Sequence, residues 1–386
     1  MSKSKPLQIA IFGQIDGPIG GQSRLTMAFR DGTTGNPVVF DFHGHKSALA
    51  PLQMVWQSLQ VLFLTLLARI DVAYIAMSRT TFGMMRDLLL LLPVIMLRRP
   101  IVAHVHGAEF EDFYRHNAQF ARVKAFYLRH VTAFVFVNEV FVPVDPELAA
   151  RSTFVRNPIP TFAVKAIARR TREDERDALP SHQEERADDT DKAKVARRCF
   201  GFISSFDPQK GIDLFLDAAD RYADRADFVI AGGPSHIDRA YGLRLLERIN
   251  TMPSIRYLGY LSDPTPFYDA CDFMIFPTNF ASETSSLVVI EALATCTHPI
   301  VRRHNRLVDI FGAAPVSWFD DASGLHAVID RVLDWGPDHL RALNDRGAPW
   351  VQSYFPTEDS WVSQVDQIVT QAANGERSSR SWSNSK

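Results

Sequence analysis

Short apolar runs rich in branched residues recur along the chain, separated by longer segments whose apolar residues return at helical spacing. LQIAIFG (7–13), PVVFDF (37–42), DVAYIAM (71–77), IVAHVH (101–106) and TAFVFVN (132–138) have the length and composition of strands buried on both faces. Helical stretches such as SALAPLQMVWQSLQVLFLTLLARI (47–70) lie between several of them. The alternation resumes with CFGFIS, DFVIAGG, SIRYLGY, CDFMIFP and HPIVRR between 199 and 303. Such a βαβ series predicts parallel sheets covered by helices, so two doubly wound Rossmann-like α/β domains are expected, facing a cleft.

The two series are separated by KAIARRTREDERDALPSHQEERADDTDKAKVARR (165–198), strongly charged and almost free of large apolar residues. It is expected to be a solvated linker or loop. The expected organisation is a first domain over 1–163, this linker over 164–198 and a second domain over 199–355. A final segment follows over 356–375, and the polar tail 376–386 is expected to be disordered.

A length of 386 residues suits two domains, and 46% apolar with 22% charged residues is ordinary for a globular chain. A net charge of −2 gives no nucleic-acid signature. Cys199, Cys271 and Cys296 have no disulfide or zinc spacing and fit buried thiols in a reducing cytoplasm. MSKSKPLQIAIFGQ does not read as a signal peptide. The longest apolar run, LLLLLPVIML (88–97), is too short to span a bilayer, contains Pro93, and is followed by Arg98 and Arg99. It suits a helix packed on a sheet, or one resting on a membrane surface with its arginines among lipid head groups.

Candidate chemistry sits where strands end. GQIDGPIGGQSRL (13–25) is a glycine loop opening a helix, where Gly17, Gly20 and Gly21 permit close approach of a phosphate. It is neither a dinucleotide fingerprint nor a Walker-type phosphate loop. HVHGAEF puts His106 and Gly107 at a strand end, where a histidine can be structural or functional. HGH at 43–45 has no evident third metal ligand and reads as loop. Lys210-Gly211 opens a helix, where a lysine opposes the helix dipole unless an anion lies between them. Glu283 precedes a helix behind the hydroxyl cluster Thr284, Ser285 and Ser286, and Glu291 lies eight positions later, inside that helix. The hydroxyls can cap the helix and leave amides for a diphosphate. Glu291 can accept from a ribose and Glu283 from sugar hydroxyls. Two unrelated glutamates would show the same spacing.

Glu283 and Glu291 form E-x7-E, the pattern of retaining GT-B glycosyltransferases, and the context resembles glycosyltransferase family four. The glycine loop, HVHGAEF, FVRNPIP (154–160), SFDPQKG (205–211), FVIAGGP, RYLGYLSDPTPFYDACDFMIFPT and SETSSLVVIEALATCTHPIV follow in that family's order over most of 7–375. The resemblance implies a GT-B fold in which the first domain binds a saccharide or lipid-linked acceptor and the second a nucleotide sugar. Lys210 would contact the diphosphate, Glu291 the ribose and Glu283 the donor sugar. His106 would bind the donor sugar near the reacting centre. Gly20 and Gly21 would lie near donor phosphates and acceptor, and backbone around Tyr260 and Leu261 would meet the base. No metal or other cofactor is implied, and the final segment would cross back to the first domain. Cell-surface polysaccharide or glycolipid synthesis in the cytoplasm is the setting implied, with peripheral contact on the inner face of the membrane through 88–99.

The chain departs from the family at Ser205, where an arginine usually stands beside the diphosphate. It also lacks the glycine usual after the second glutamate's helix, and RRHNRLVDIFG lacks the expected glycine pair. Arg24, Arg302 or Arg303 are candidates to compensate. Two other readings stay open: a GT-B chain that binds a nucleotide sugar or partner without catalysis, and an NAD-dependent α/β enzyme.

Overall fold

The computed structural model describes residues 5–15, 21–42, 50–143, 145–178, 197–235, 238–280, 283, 284 and 286–375. The chain divides into two compact units, Met1–Pro158 with Glu358–Lys386, and Ile159–Thr357.

Unit 1 holds a parallel sheet of strands β1 (Gln8–Gly13), β2 (Asn36–Asp41), β3 (Val72–Ala76), β4 (Ile101–Val105), β5 (Ala133–Phe136) and β6 (Ser152–Phe154), in the order β2-β1-β3-β4-β5-β6. Successive side chains of a strand point to opposite faces, and the core divides accordingly. Ala10, Phe12, Ala73, Ile75, Ala103 and Val105 face one side, packed with Leu90, Leu91 and Val94 of helix α3 (Thr81–Met96) and Val61 of helix α2 (Ala50–Leu66). Ile9, Ile11, Val72, Tyr74 and Val102 face the other, packed with Leu25 and Phe29 of helix α1 (Gly21–Gly32). The same face takes Trp361, Val365 and Val369 of the helix Glu358–Ala373, so this C-terminal segment is part of unit 1.

The apolar run 88–97 lies in and just beyond α3. Leu90, Leu91, Pro93 and Val94 are buried, whereas Leu92 and Met96 are exposed. The middle of the run is therefore core, with Leu88 and Ile95 partly buried against it.

Unit 2 holds strands β7 (Cys199–Phe206), β8 (Asp227–Pro234), β9 (Ile255–Tyr257), β10 (Phe273–Phe276), β11 (His298–Arg302) and β12 (Ser317–Phe319), ordered β12-β11-β10-β7-β8-β9 and parallel throughout. Phenylalanine dominates its core: the Phe200 ring lies 5.0 Å from Phe273 and 5.7 Å from Phe228. From β7 the chain winds to β8 and β9 on one side, then returns to β10 and continues to β12 on the other. The reversal between β7 and β10 is the topological switch point of this sheet, the place where doubly wound sheets bind ligands.

The charged segment expected as linker or loop from 164 onward begins inside a helix, Thr161–Ala178. Its alanines and arginines are strong helix formers. Ala163 and Ile167 are buried, and the Phe162 ring stacks 6.1 Å from Tyr268. Arg169 and Arg170 pair with Asp269 and Asp345 at 3.2 and 2.7 Å. The first charges of the stretch, Lys165, Arg169 and Arg170, thus sit on a helix anchored on unit 2. The remainder, 179–196, and the tail 376–386 lie outside the described residues, as does the HGH stretch at 43–45. Cys199, Cys271 and Cys296 form no disulfide among the described residues and are half-buried rather than buried.

Candidate active site

At the switch point of unit 2, two loops are clasped. β7 ends at Phe206, and Asp207 accepts from Gln209 N at 3.0 Å, capping the short turn Pro208–Lys210. Gly211 follows with φ +73°, and a Cβ there would lie 2.2 Å from Pro277 O in the loop after β10. No other residue would allow that approach. Asn279 N donates to Gln209 O at 2.8 Å, closing the clasp.

The clasp brings Lys210 to Glu283. Lys210 Nζ donates to Glu283 Oε2 at 2.9 Å and lies 4.6 Å from the centroid of the Phe280 ring. Lys210 is 24% exposed and Glu283 14%, so the pair sits in a largely desolvated mouth. Thr284 and Ser286 are buried beside it. Ser286 is the N-cap of the helix Leu287–Ala294, in extended conformation and without a side-chain capping bond. That end therefore keeps the partial positive charge of its amides next to the Lys210–Glu283 pair in sequence and fold. Ser285 lies outside the described residues.

Glu291 is 3% exposed, on the same helix. The Tyr268 hydroxyl donates to Glu291 Oε2 at 2.8 Å. A buried carboxylate needs such a partner, because ionisation in an apolar setting is otherwise strongly unfavourable. Tyr268 is the site residue that sequence reasoning missed, since nothing in FYDACDF signals a partner 23 positions away. Phe280 is a second.

Ser205 is exposed at the carboxyl end of β7, in register with Gly233 of β8. Gly232, at φ +124°, would place a Cβ 1.8 Å from Ser204 O. Gly232 N donates to Gly259 O at 2.7 Å, which ties the loop carrying Tyr260 and Leu261 to the same edge. Tyr260 is 54% exposed there. Arg302 and Arg303 both turn to Asp320, through its carbonyl at 3.3 Å and its carboxylate at 3.2 Å respectively. Arg24 belongs to α1 of unit 1.

His106 and Gly21 belong to unit 1. Gly21 opens α1, while Gly17 and Gly20 lie outside the described residues. His106 follows β4, its ring stacked 4.1 Å from His104. His104 Nδ1 lies 2.7 Å from the Tyr74 hydroxyl, and Trp361 stacks on its ring at 5.8 Å. Burial pushes the His104 pKa down to about 3. Burial also holds His106 well below the ordinary imidazole range, with His104 and Arg79 adding to the effect. Both rings are therefore neutral near pH 7 and act as hydrogen-bonding groups rather than cations. A Cβ on Gly107 would lie 2.0 Å from Arg79 Nη1, so this glycine makes room for a guanidinium that pairs with Glu109 at 3.5 Å. Among the described residues no group of three or more His, Cys, Asp or Glu is gathered as a metal site.

Residues 197–332, within unit 2, match the family described as glycosyl transferases group 1. The whole chain shares its architecture with solved glycosyltransferases. HepE from Anabaena, solved with UDP and glucose, superposes with a TM-score of 0.66 at 13% identity, covering 94% of this chain and 99% of its own. A glycosyltransferase from Rickettsia africae gives 0.65 at 12%, with 95% and 98% covered. Sucrose-phosphate synthase from Thermosynechococcus elongatus gives 0.64 at 15%, with 97% and 100% covered. The fold is GT-B, two Rossmann-like domains. No curated protein matches the chain in sequence.

Proposed function

We propose that the protein is a retaining glycosyltransferase of family four. It moves a sugar from a nucleotide-sugar donor to a saccharide or lipid-linked saccharide acceptor, in cell-surface polysaccharide or glycolipid synthesis. The observation that carries this reading is the Lys210–Glu283 pair at the switch point of unit 2, within the stretch that matches the glycosyl transferases group 1 family, beside a helix whose N-cap Ser286 makes no side-chain capping bond.

In this reading the donor diphosphate takes the place Glu283 now holds against Lys210. The ammonium and the amides at Ser286 and Leu287 balance its charge, and the reaction uses no metal. Glu283, released, accepts from hydroxyls of the donor sugar and stabilises its oxocarbenium-like transition state. Glu291, oriented by Tyr268, holds the ribose, and backbone at Tyr260 and Leu261 meets the base. A leaving phosphate oxygen takes the acceptor proton. Ser205 offers a hydroxyl to the diphosphate in place of the usual arginine, and the hydroxyl cluster Thr284, Ser285 and Ser286 leaves helix amides free for it. His106 works as a neutral imidazole toward the donor sugar, and Gly20-Gly21 lets the phosphates and acceptor come close. Unit 1 takes the acceptor. The enzyme acts in the cytoplasm, at the inner face of the cell membrane, with weak surface contact through 88–99.

Ser205 also favours a second reading, a GT-B chain that binds a nucleotide sugar without transferring it. Since HepE was solved with UDP and with UDP-glucose, uridine donors are the first to try. Calorimetric titration of nucleoside diphosphates, followed by donor turnover with proton NMR of the anomeric product, separates the two. Binding without turnover or hydrolysis of any donor tried selects the non-catalytic reading, and an inverted product removes the retaining mechanism.

A further inference from the structure

Helix α2 carries no charged side chain along its 17 residues, and Met54, Val61 and Thr65 are its buried anchors. Leu52, Val55, Trp56, Leu59, Phe63 and Leu66 follow one another at helical spacing and are all exposed, Leu52 by 68%, Trp56 by 63% and Phe63 by 62%. They form one stripe about 20 Å long. Soluble surfaces rarely leave so continuous an apolar band open to water. The neighbouring helix α3, tied to α2 by Ser58 Oγ donating to Leu89 O at 2.8 Å, exposes Leu92 and Met96 as well.

Both helices end in the same way. Ala68 and Arg98 adopt positive φ, and Arg69 N and Arg99 N each donate at 2.9 Å to a carbonyl five residues back, Leu64 O and Val94 O. Each helix then enters a strand, and β3 and β4 are adjacent with Ala73 opposite Ile101. Arg69, Arg98 and Arg99 therefore gather at the amino-terminal ends of the two central strands, beyond the end of the apolar stripe. None of the three joins an ion pair among the described residues. The acidic groups nearby are turned inward. Asp71 accepts from Gln8 N at 2.9 Å, and Asp87 is buried against Arg86 and Ser78.

We propose that α2, flanked by Arg69, Arg98 and Arg99, is a docking helix that lies on an anionic phospholipid surface. The inference deepens the surface contact in the functional reading above, moving its centre from 88–99 to α2, and does not depend on the transfer chemistry. Charge decides the occupant. A second copy would bring the same face, with no exposed carboxylate on α2 or α3 to meet the arginines. An anionic leaflet offers acyl chains to the stripe and phosphates to the cations together. No described helix is long and apolar enough to cross a membrane, so α2 lies on the surface.

The test is flotation of the full-length protein with vesicles of phosphatidylglycerol and phosphatidylcholine, or phosphatidylcholine alone, at low and high salt. Binding is expected to the anionic vesicles and to fall as salt rises. Trp56→Gln with Phe63→Gln should lower partitioning at least tenfold. Arg69→Gln with Arg99→Gln should lower it about twenty-five-fold, at roughly fivefold per arginine. Brominated phosphatidylglycerol should quench a part of the parent's tryptophan emission that Trp56→Phe lacks, a readout that needs no polar variant to fold. Titration with nucleoside diphosphate in parallel reports separately on the donor site. Absence of vesicle binding at low salt, no loss of the quenched component in Trp56→Phe, or a parent dimer that Trp56→Gln with Phe63→Gln dissociates, overturns the proposal.

Discussion

Lys210 Nζ and Glu283 Oε2 stand 2.9 Å apart, joining loops 73 positions apart in the chain. Each is mostly withdrawn from water, and each is the other's counter-charge. The pair keeps a lysine and a carboxylate poised without an unpaired charge. It also sets up an exchange in which an incoming polyanion replaces one carboxylate.

Glu283→Gln removes an anion at nearly constant volume. The fold should be kept, and transfer at saturating donor should fall by about a hundredfold or more, typical for loss of a group that stabilises charge developing in the transition state. Nucleoside diphosphate affinity should hold or rise, because Lys210 no longer has a carboxylate to give up. Initial rates and calorimetric affinities on the same preparation check this. A variant that turns over like its parent would remove Glu283 from the chemistry.

Lys210→Ala should weaken nucleoside diphosphate binding by about tenfold to a hundredfold, the range expected for one charge-assisted hydrogen bond of roughly 1.5–3 kcal/mol. Binding should not vanish, because the helix amides at Ser286 and Leu287 remain. Ser205→Arg should recover part of the loss by returning a cation to the exposed end of β7. Calorimetry on the parent, both single variants and the double variant decides it. Unchanged affinity in a folded Lys210→Ala protein would end the phosphate role.

Tyr268→Phe deletes the hydroxyl that donates to Glu291 while keeping the ring stacked on Phe162. Leaving a buried carboxylate short of a donor should lower stability by about 1–3 kcal/mol. If Glu291 holds the ribose, the variant should bind nucleoside diphosphate more weakly and inorganic pyrophosphate as before. Equal loss for both ligands would show that the change reaches the phosphates, not the ribose.

Much of this architecture was legible in local pattern. Runs such as DVAYIAM and CDFMIFP could hardly be anything but strands covered on both faces, and Gly211 beside Lys210 marked a helix start. What was not legible depends on residues meeting across long sequence separations. Nothing local pairs Glu283 with Lys210, gives Glu291 its Tyr268, or lays Trp361 over His104. The stretch 161–178 misled for a different reason. Its charges outnumber its apolar residues, yet Phe162, Ala163 and Ile167 suffice to seat one face while strong helix formers carry the rest. On α2 the period signalled a helix but could not tell which apolar side would be left uncovered.

The paired histidines of unit 1 predict an acid-sensitive fold. Burial lowers the folded-state pKa of His104 to about 3, and an unfolded histidine titrates near 6.5. Between those values the unfolded chain binds the extra proton. The stabilisation is therefore complete above about pH 6.5 and is lost progressively as pH falls toward about 3. From pH 6.5 to 5 this one group should remove about 2 kcal/mol, at about 1.4 kcal/mol per unit. His106, depressed for the same reason, should add to the loss. Hydrogen exchange of the β4 amides reads unit 1 directly, and their protection should drop over this range. His104→Asn keeps a hydrogen-bonding amide at this position but cannot titrate, so its protection should fall less steeply. A parent and variant with the same slope would mean that His104 is protonated in both states or in neither, against the burial seen for its ring.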